Sequence, residues 1–345
     1  MSVPWLLPVA SIALSWLVAS LVSRRAEQWR LVQIPNHRSS HVQPTANGGG
    51  LGIVLASVAT GGWLALAGAS QLSALLVLSL PLAVIGLIDD VRHVSAMSRM
   101  GVQVIVMVGL LTLVGEGPAW ESIADASPYG WPLMGVLILA GVWWINLFNF
   151  MDGIDGIAGG QVIFMLVAGA GLASWFHPEA VRSPMWAFAI CVAAATLGFL
   201  PVNWPPARVF MGNVGSTWLA FMIFAVALVS IQAGWLSPAV WLVLGAVFVT
   251  DATITLIIRM LRGERWYEAH RSHAYQRLSR RWRGDRNMGH LSVTVLVSAI
   301  NLLWLAPLAW ACLNWPQWSI AWLTLAYGPV AVCTVLLGAG RPDHA

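Results

Sequence analysis

Long apolar runs separated by short polar segments follow one another along the whole chain. A helix needs about twenty apolar residues to cross a bilayer, and the runs approach or reach that length. Eleven of them lie roughly at residues 3–22, 48–67, 72–88, 101–115, 133–148, 157–176, 185–202, 214–231, 238–258, 291–313 and 320–337. The pattern predicts an all-α, polytopic helical bundle with about eleven transmembrane helices, built as a single integral membrane domain over residues 1–345.

The composition narrows the class of protein further. Of the 345 residues, 58% are hydrophobic and only 9% are charged, and the mean hydropathy is +0.75. Soluble domains carry about a quarter charged residues, so an ordinary cytosolic fold and a disordered chain are both excluded. The lipid bilayer is the expected surrounding, and nucleic acid is not an expected partner. Cys191, Cys312 and Cys333 lie in separate apolar runs, a spacing that favours neither a disulfide framework nor a zinc site.

The distribution of arginine predicts the orientation of the bundle. All 18 basic residues are Arg, and alternating the eleven spans places every one except Arg182 on the same side. The positive-inside rule makes that side cytoplasmic. The N-terminus is then periplasmic, and the first span is an uncleaved anchor followed by Arg24 and Arg25. The predicted cytoplasmic loops cover residues 23–47, 89–100, 149–156, 203–213 and 259–290.

Two adjacent carboxylates, Asp89 and Asp90, stand at the inner end of the third span. Neighbouring carboxylates repel each other, and a divalent cation or an arginine partner relieves that cost. The alternative is a solvated helix terminus flanked by Arg92 and Arg99.

The loop after the fifth span reads NLFNFMDGIDGIAGG over residues 146–160. Asp152 and Asp155 are three residues apart, which places them on one face if the sixth helix has already begun. Asn146 and Asn149 add amide groups beside them, and the glycines let a ligand approach the backbone. A glycine-rich turn with an aspartate cap is the alternative.

The loop before the eighth span reads VNWPPARVFMGNVGS over residues 202–216. Arg208 is able to reach a phosphate, and the Gly-rich end at residues 212–216 is suited to begin a helix whose free backbone donors face an anion. Alternatively, Asn213 or Ser216 simply caps that helix.

An arginine-rich segment covers residues 259–290 and includes the sequence AHRSHAYQRL. His270 and His273 are one helical turn apart with Arg271 between them, a set suited to grip a diphosphate. A basic amphipathic helix lying on anionic lipid is the competing interpretation.

Two further polar features leave alternatives open. Asp251 lies inside the ninth span on the same helix face as Arg259, so a structural pair competes with a catalytic role. The segment at residues 34–50 includes RSSH and three glycines, and it suits either a phosphate contact or a plain helix entrance.

These features share one side of the membrane. The cytoplasm supplies nucleotide-activated substrates and Mg²⁺, so a membrane-embedded phosphoryl or phosphosugar transferase fits the pattern best. A transporter should instead place ionisable groups near the midplane, in broken helices.

Together the motifs resemble the polyprenyl-phosphate N-acetylhexosamine-1-phosphate transferases of glycosyltransferase family 4 type, which include the phospho-MurNAc-pentapeptide translocase. The resemblance is carried by DD after the third span, NLFNFMDGIDG after the fifth and NWPPARVFMGNVGS before the eighth, and it covers nearly the whole chain. The RSSH and AHRSHAYQRL segments are most similar to the O-antigen initiating branch.

The resemblance implies a reaction and its participants. A HexNAc-1-phosphate passes from a UDP-sugar to undecaprenyl phosphate, UMP is released, and synthesis of O-antigen or another cell-envelope polysaccharide begins. Mg²⁺ is the implied metal, with Mn²⁺ as the alternative. The implied location is the bacterial inner membrane, and a homodimer is compatible with the family. The alternative function is a catalytically impaired protein that binds UDP-sugar or polyprenyl phosphate. An anion transporter is a less favoured alternative.

The resemblance also assigns roles to individual residues. Asp89, Asp90 and Asp152 are the implied catalytic residues, with Asp89 as the base and Asp90 and Asp152 at the metal. The implied substrate-binding residues are Arg99, Asn146, Asn149, Asp155, Asn203, Arg208, His270, Arg271 and His273, of which Asp155 and Asn203 face the uridine. Asn213 occupies a metal position where relatives usually carry Asp, which is expected to weaken metal binding.

Overall fold

The computed structural model describes residues 5–34, 44–114, 130–265, 270–282 and 288–342. Helices make up nearly all of the regular structure in these ranges. The α-helices are α1 (Leu6–Arg25), α2 (Gly50–Leu66), α3 (Ser70–Val91), α4 (Ala96–Val114), α5 (Gly130–Met151), α6 (Ile157–Phe176), α7 (Pro184–Asn203), α8 (Gly212–Gln232), α9 (Pro238–Leu244), α10 (Ala246–Leu261), α11 (Ala274–Arg281), α12 (Gly289–Ile300), α13 (Ala306–Asn314) and α14 (Ser319–Leu336).

The predicted membrane spans are confirmed as helices. Within the described ranges, nine helical segments are long and apolar enough to cross a membrane, with α12, a π-helical turn at Asn301–Leu305 and α13 counted as one. The pair α9 and α10 forms a tenth span that bends by 72° around Gly245. The second predicted span corresponds to α2, which is 17 residues long. The chain is therefore an all-α polytopic membrane protein.

Helix α8 lies at the centre of the bundle, packed against α3 and α5. Its largest side chains, including Trp218 and Phe221, are fully buried. Helices α1, α2 and α7 pack against one another beside it. By contrast, α14 keeps many apolar side chains exposed, as expected of a helix that faces lipid.

Close packing at glycine positions brings helix ends together. A Cβ added to Gly86 on α3 would lie 2.8 Å from the backbone carbon of Asn213, at the beginning of α8. Only glycine permits this approach, which sets the end of α3 directly against the N-terminus of α8. The candidate site forms at this junction.

A short antiparallel ribbon was not predicted by the sequence pattern. Val32–Gln33 pairs with Thr45–Ala46, and Ala46 also accepts a 2.8 Å hydrogen bond from the backbone N–H of Phe210. The ribbon thus attaches the loop between α1 and α2 to the segment that precedes α8. Most of the predicted polar segment around RSSH, residues 35–43, lies outside the described residues.

Candidate functional site

The first carboxylate of the DD pair is held in an ion pair. One oxygen of Asp89 lies 2.7 Å from Nη1 of Arg99, and the other accepts a hydrogen bond of 2.8 Å from the backbone N–H of Val94. The side chain of Asp89 is 4% exposed. The interpretation of a merely solvated helix end is therefore wrong for Asp89, since an arginine partner relieves its charge.

The second carboxylate caps the central helix. Asp90 accepts hydrogen bonds from the backbone N–H groups of Asn213, at 2.8 Å, and Val214, at 3.1 Å, at the start of α8. The amide of Asn47 donates a third bond of 3.1 Å. The sequence predicted free N–H donors at this helix end facing an anion. In the structure that anion is the protein's own Asp90, which the positive end of the helix favours.

Asn213 connects the DD pair to the fifth span. Its Nδ2 donates a 2.9 Å hydrogen bond to Asp89, and its Oδ1 accepts a 2.5 Å bond from Nδ2 of Asn149. The side chain of Asn213 therefore bridges two elements and does not cap its own helix. An aspartate at this position would have no proton to donate to Asp89.

Asp152 lies in the loop after α5, beside this junction. Helix α6 begins only at Ile157, after Gly156 in the left-handed region with φ +78°, so the prediction that Asp152 and Asp155 share a helix face is wrong. Burial raises the pKa of Asp152 well above its ordinary value of 3.8, and the charges of Asp90 and Asp155 raise it further. Within the described residues its carboxylate accepts no hydrogen bond, which leaves it available to a ligand.

Asp155 holds the loops around it together. Its carboxylate accepts a 3.0 Å bond from the backbone N–H of Ala207 and lies 3.2 Å from Nδ1 of His290. Asn203 continues this arrangement, because its Oδ1 accepts a 3.0 Å bond from the N–H of Gly156. Both predicted uridine residues are therefore engaged in contacts between loops.

Two further predicted site residues of this region are the half-buried Asn146 and the exposed Arg208. Asn146 lies in α5, and its Nδ2 donates a 2.7 Å bond to Oε1 of the buried Gln103 on α4. Arg208 is exposed, and its guanidinium has no ion pair within the described part of the chain. Arg208 is thus free to meet a solvent-borne anion, whereas Asn146 is directed into the bundle.

The two histidines of the arginine-rich segment lie against the C-terminal end of α5. Their ring centroids are 4.7 Å apart, and the ring of His270 is 6.0 Å from that of Phe150. Helix α11 begins only at Ala274, so the expectation that one helical turn separates the histidines is wrong. Arg271 lies half-buried between them, and its backbone carbonyl accepts a 2.9 Å bond from Arg280.

Asp251 positions this segment from within the bent span. Its carboxylate accepts bonds of 3.0 and 2.9 Å from the N–H groups of Ala274 and Tyr275, and it lies 3.3 Å from Nδ1 of His273. The predicted pair with Arg259 is wrong, because Arg259 instead forms a 2.8 Å ion pair with Glu264. Asp251 therefore caps α11 and orients a histidine ring.

Both histidines present an unsatisfied nitrogen. The Nε2 atoms of His270 and His273 are buried and have no hydrogen-bond partner among the described residues, and the same holds for the Nε atom of Arg259. Burial lowers the pKa of His270 to about 2, and the nearby charges of His273 and Arg259 act in the same direction. Buried polar atoms without partners are unusual in proteins, so this group suits an acceptor-rich ligand.

Tyr275 joins the histidine segment to the aspartate loop. Its hydroxyl donates a 2.8 Å bond to the carbonyl of Phe150, two residues before Asp152. Burial raises the pKa of this phenol well above 10, and the charges of Asp251 and Asp152 raise it further. The AHRSHAYQRL motif contains Tyr275, yet nothing in its spacing reveals this contact.

The donor set for a cation is small. Among the described residues, no three His, Cys, Asp or Glu side chains lie close enough together to form a metal centre. Asp90 and Asn213 already form hydrogen bonds with their neighbours. The carboxylate of Asp152 accepts none from the described part of the chain. Oxygen donors from two carboxylates and an amide fit Mg²⁺, which keeps several waters and takes few protein ligands.

The chain is similar to known membrane transferases. The model of glycosyl transferase family 4 matches residues 72–231, which contain Asp89, Asp90, Asp152 and Asn213. The chain belongs to this family. The match extends from α3 through α8, the segment that forms the junction described above.

Individual relatives cover more of the chain. A Bacillus subtilis protein named as a probable undecaprenyl-phosphate N-acetylglucosaminyl 1-phosphate transferase is 27% identical over 78% of this chain and 75% of its own length. A decaprenyl-phosphate N-acetylglucosaminephosphotransferase of Mycobacterium leprae is 26% identical over 97% of this chain and 87% of its own. A phospho-N-acetylmuramoyl-pentapeptide-transferase of a Synechococcus strain is 31% identical over 64% and 65%. With the helical spans, these likenesses identify this family member as a multi-pass protein of the bacterial inner membrane.

Proposed function

We propose that this family member transfers a HexNAc-1-phosphate from a UDP-sugar to undecaprenyl phosphate and thereby initiates O-antigen or another cell-envelope polysaccharide. An oxygen of the lipid phosphate attacks the sugar-bearing phosphorus, and the bond between that phosphorus and the bridging oxygen breaks. UMP leaves with the bridging oxygen, and undecaprenyl-diphosphate-sugar remains. The relatives support the polyprenyl-phosphate acceptor and the transfer of a sugar phosphate.

The observation that carries the proposal is the uncommitted carboxylate of Asp152 beside the DD pair. A carboxylate that is desolvated, repelled by Asp90 and Asp155 and without a hydrogen bond to any described residue is costly unless a cation binds it. Mg²⁺, or Mn²⁺ in its place, would be held by Asp152 with Asp90 and Asn213. When bound, the ion would neutralise charge on the diphosphate and on the leaving UMP.

The histidine segment is suited to bind the diphosphate or the sugar. Nδ1 of His270 accepts from the backbone N–H of Ser272, so Nε2 of the neutral ring carries the proton and can donate it to a ligand oxygen. Nδ1 of His273 donates to Asp251, so Nε2 of His273 donates to a ligand only when the ring is an imidazolium. Arg271 lies between them. These groups donate hydrogen bonds to the donor phosphates and hold the reacting phosphorus in line with its attacker.

The lipid phosphate is assigned to the end of α3. Asp89 is the proposed base, and its ion pair with Arg99 places a guanidinium next to the phosphate. At this helix end a polyprenyl tail remains in the bilayer while its phosphate reaches the cytoplasmic loops. Arg208 is the second proposed phosphate contact, on the basis of its exposed guanidinium.

The uridine is assigned to the loops held by Asp155 and Asn203. Asp155 and Asn203 bond to the backbone N–H groups of Ala207 and Gly156, and in this way they shape the proposed nucleotide site. Asn146 and Asn149, on α5, are the other proposed substrate-binding residues, on the basis of the family resemblance. The proposal treats residues 1–345 as one domain with these loops in the cytoplasm and the N-terminus in the periplasm, in agreement with the arginine distribution.

The experiment is UMP release by the full-length protein purified in detergent. Undecaprenyl phosphate is supplied with a panel of UDP-N-acetylhexosamines, in Mg²⁺ and separately in EDTA. UMP release from one sugar that requires both lipid and metal supports the proposal and identifies the donor. If the folded protein releases no UMP with any sugar of the panel, the result contradicts the proposal.

A second candidate function follows from Asn213. Its neutral amide already bonds to Asp89 and Asn149, which lowers the charge offered to a cation. A protein that binds UDP-sugar or undecaprenyl phosphate without turnover fits that arrangement. Binding of both ligands without UMP release, in wild type and in Asn213→Asp, would favour this second function.

The contacts of Asp251 argue against an anion transporter. The bent span α9–α10 has the broken shape that transporters use, and Asp251 is its buried acidic residue. That carboxylate is occupied by the N-terminus of α11 and by His273. Asp251 is therefore committed to holding the histidine segment.

A further inference from the structure

A buried arginine connects the histidine segment to the end of the chain. Arg277 lies on α11 and is only 9% exposed. Its Nε donates a 3.0 Å hydrogen bond to the carbonyl of Leu337, and its Nη1 donates a 3.0 Å bond to the carbonyl of Arg341 and a 3.4 Å bond to that of Pro342. A buried guanidinium is costly unless its donors are satisfied, and here backbone carbonyls satisfy them.

These carbonyls belong to a short segment after the last span, residues 337–342, which we name the C-terminal clamp. The segment turns through Gly338 and Gly340, whose φ angles are +79° and +71°. The residue between them, Ala339, is fully buried. The positive charge of Arg277 also complements the free carbonyls at the end of α14.

The C-terminal clamp also contacts the histidine segment directly. The backbone N–H of Gly340 donates a 2.9 Å bond to the carbonyl of Ser272, between His270 and His273 in the chain. A Cβ on Gly340 would lie 2.8 Å from the carbonyl oxygen of Thr255 on α10. The clamp therefore packs between α10 and the histidine segment. It bonds to Ser272, before His273 in the chain, and to Arg277, after it.

We propose that the C-terminal clamp holds the histidine segment in its ligand-binding position, with Arg277 as a positioning residue for His270 and His273. Asp251 and the carbonyl of Phe150 hold the same segment from the side of the bundle. The clamp adds further attachments to the segment at Ser272 and Arg277. Its effect on turnover rests on the proposed transferase function, whereas its effect on the segment's mobility rests on the contacts alone.

The test compares two ways of opening the clamp, each with a matched control. Arg277→Gln removes the guanidinium, and a chain ending at Leu337 removes the Arg341 and Pro342 carbonyls and the Gly340 N–H. Arg341→Ala is the control for the first, because only the backbone of Arg341 is used, and a chain ending at Pro342 is the control for the second. All are full bundles purified in the same detergent. Hydrogen exchange is followed by mass spectrometry, and UMP release is measured over a range of UDP-sugar concentrations.

Both opened variants should increase exchange within residues 270–282 by about tenfold or more, while exchange in α3 and α8 stays unchanged. The KM for the UDP-sugar should rise by about tenfold with a smaller change in kcat, because the segment must be ordered again on binding. Both controls should match wild type. Combining the two changes should add little to either alone, since they break the same contact.

Unchanged exchange at residues 270–282 in both opened variants would overturn the proposal. A rise spread over the whole bundle, or additive effects in the combined variant, would overturn it as well, since either result describes general destabilisation. If wild type releases no UMP but exchange still rises locally in the opened variants, the proposed transferase function is refuted. The proposal that the clamp orders the histidine segment is then supported. If UMP release is normal in both opened variants, the positioning role fails and the transferase function stands.

Discussion

Replacing Asp152 and Asp90 separately by asparagine should give opposite effects on stability. The carboxylate of Asp152 accepts no hydrogen bond within the described residues and is repelled by Asp90 and Asp155. Asp152→Asn therefore removes an unfavourable charge and no bond. We expect the unfolding temperature in EDTA to stay equal or to rise, and UMP release to disappear.

Asp90→Asn should destabilise the metal-free protein. Asp90 accepts three hydrogen bonds, two of them from the N–H groups that open α8. An asparagine retains one acceptor but turns an NH₂ group toward a donor and loses the charge at the helix end. Losing one or two charge-assisted bonds corresponds to a decrease of about 2–4 kcal/mol in the free energy of unfolding.

The assay for this pair is thermal unfolding in detergent with EDTA and with Mg²⁺, beside UMP release. A ligand at about 100 times its dissociation constant stabilises the folded state by about 2.7 kcal/mol, so wild type should gain stability with Mg²⁺ and Asp152→Asn should not. An equal loss of stability in the two variants in EDTA, or full turnover by Asp152→Asn, would refute the reasoning.

Three further predictions follow from the same contacts. Asn213→Asp replaces the 2.9 Å donor to Asp89 by a second carboxylate, so its unfolding temperature should fall in EDTA and recover with Mg²⁺; equal values in both conditions would contradict this. Burial lowers the pKa of His270 to about 2, so below pH 6.5 the unfolded chain binds a proton that the folded protein does not. As the pH falls below 6.5, the free energy of unfolding should therefore decrease by at most about 1.4 kcal/mol per pH unit. His270→Gln should flatten that fall in thermal unfolding between pH 8 and pH 5, and an unchanged slope would count against the assignment. Asp251→Ala leaves the N–H groups of Ala274 and Tyr275 without their acceptor, so the free energy of unfolding should fall by about 2–4 kcal/mol. The KM for the UDP-sugar should also rise. A normal KM would exclude Asp251 as the support of the histidine segment.

Hydrophobic periodicity and length were sufficient to predict the membrane spans. All eleven apolar runs correspond to helices, because a bilayer allows a chain to satisfy its backbone polar groups only within helices or closed barrels. The motifs also identified the family, since their residue types and order are properties of the sequence itself. Composition alone excluded a soluble fold.

The contacts of individual site residues required the tertiary structure. Asp90 caps a helix 123 positions away in the chain, and Tyr275 reaches the carbonyl of Phe150 at a separation of 125. Spacing within a motif carries no information on such distant partners. It also suggested a shared helix face for Asp152 and Asp155, which the turn at Gly156 prevents. Local pattern thus determined which segments are helices and which side chains are polar, whereas the packing of helices at glycine contacts decided which carboxylates are paired and which one remains available to a ligand.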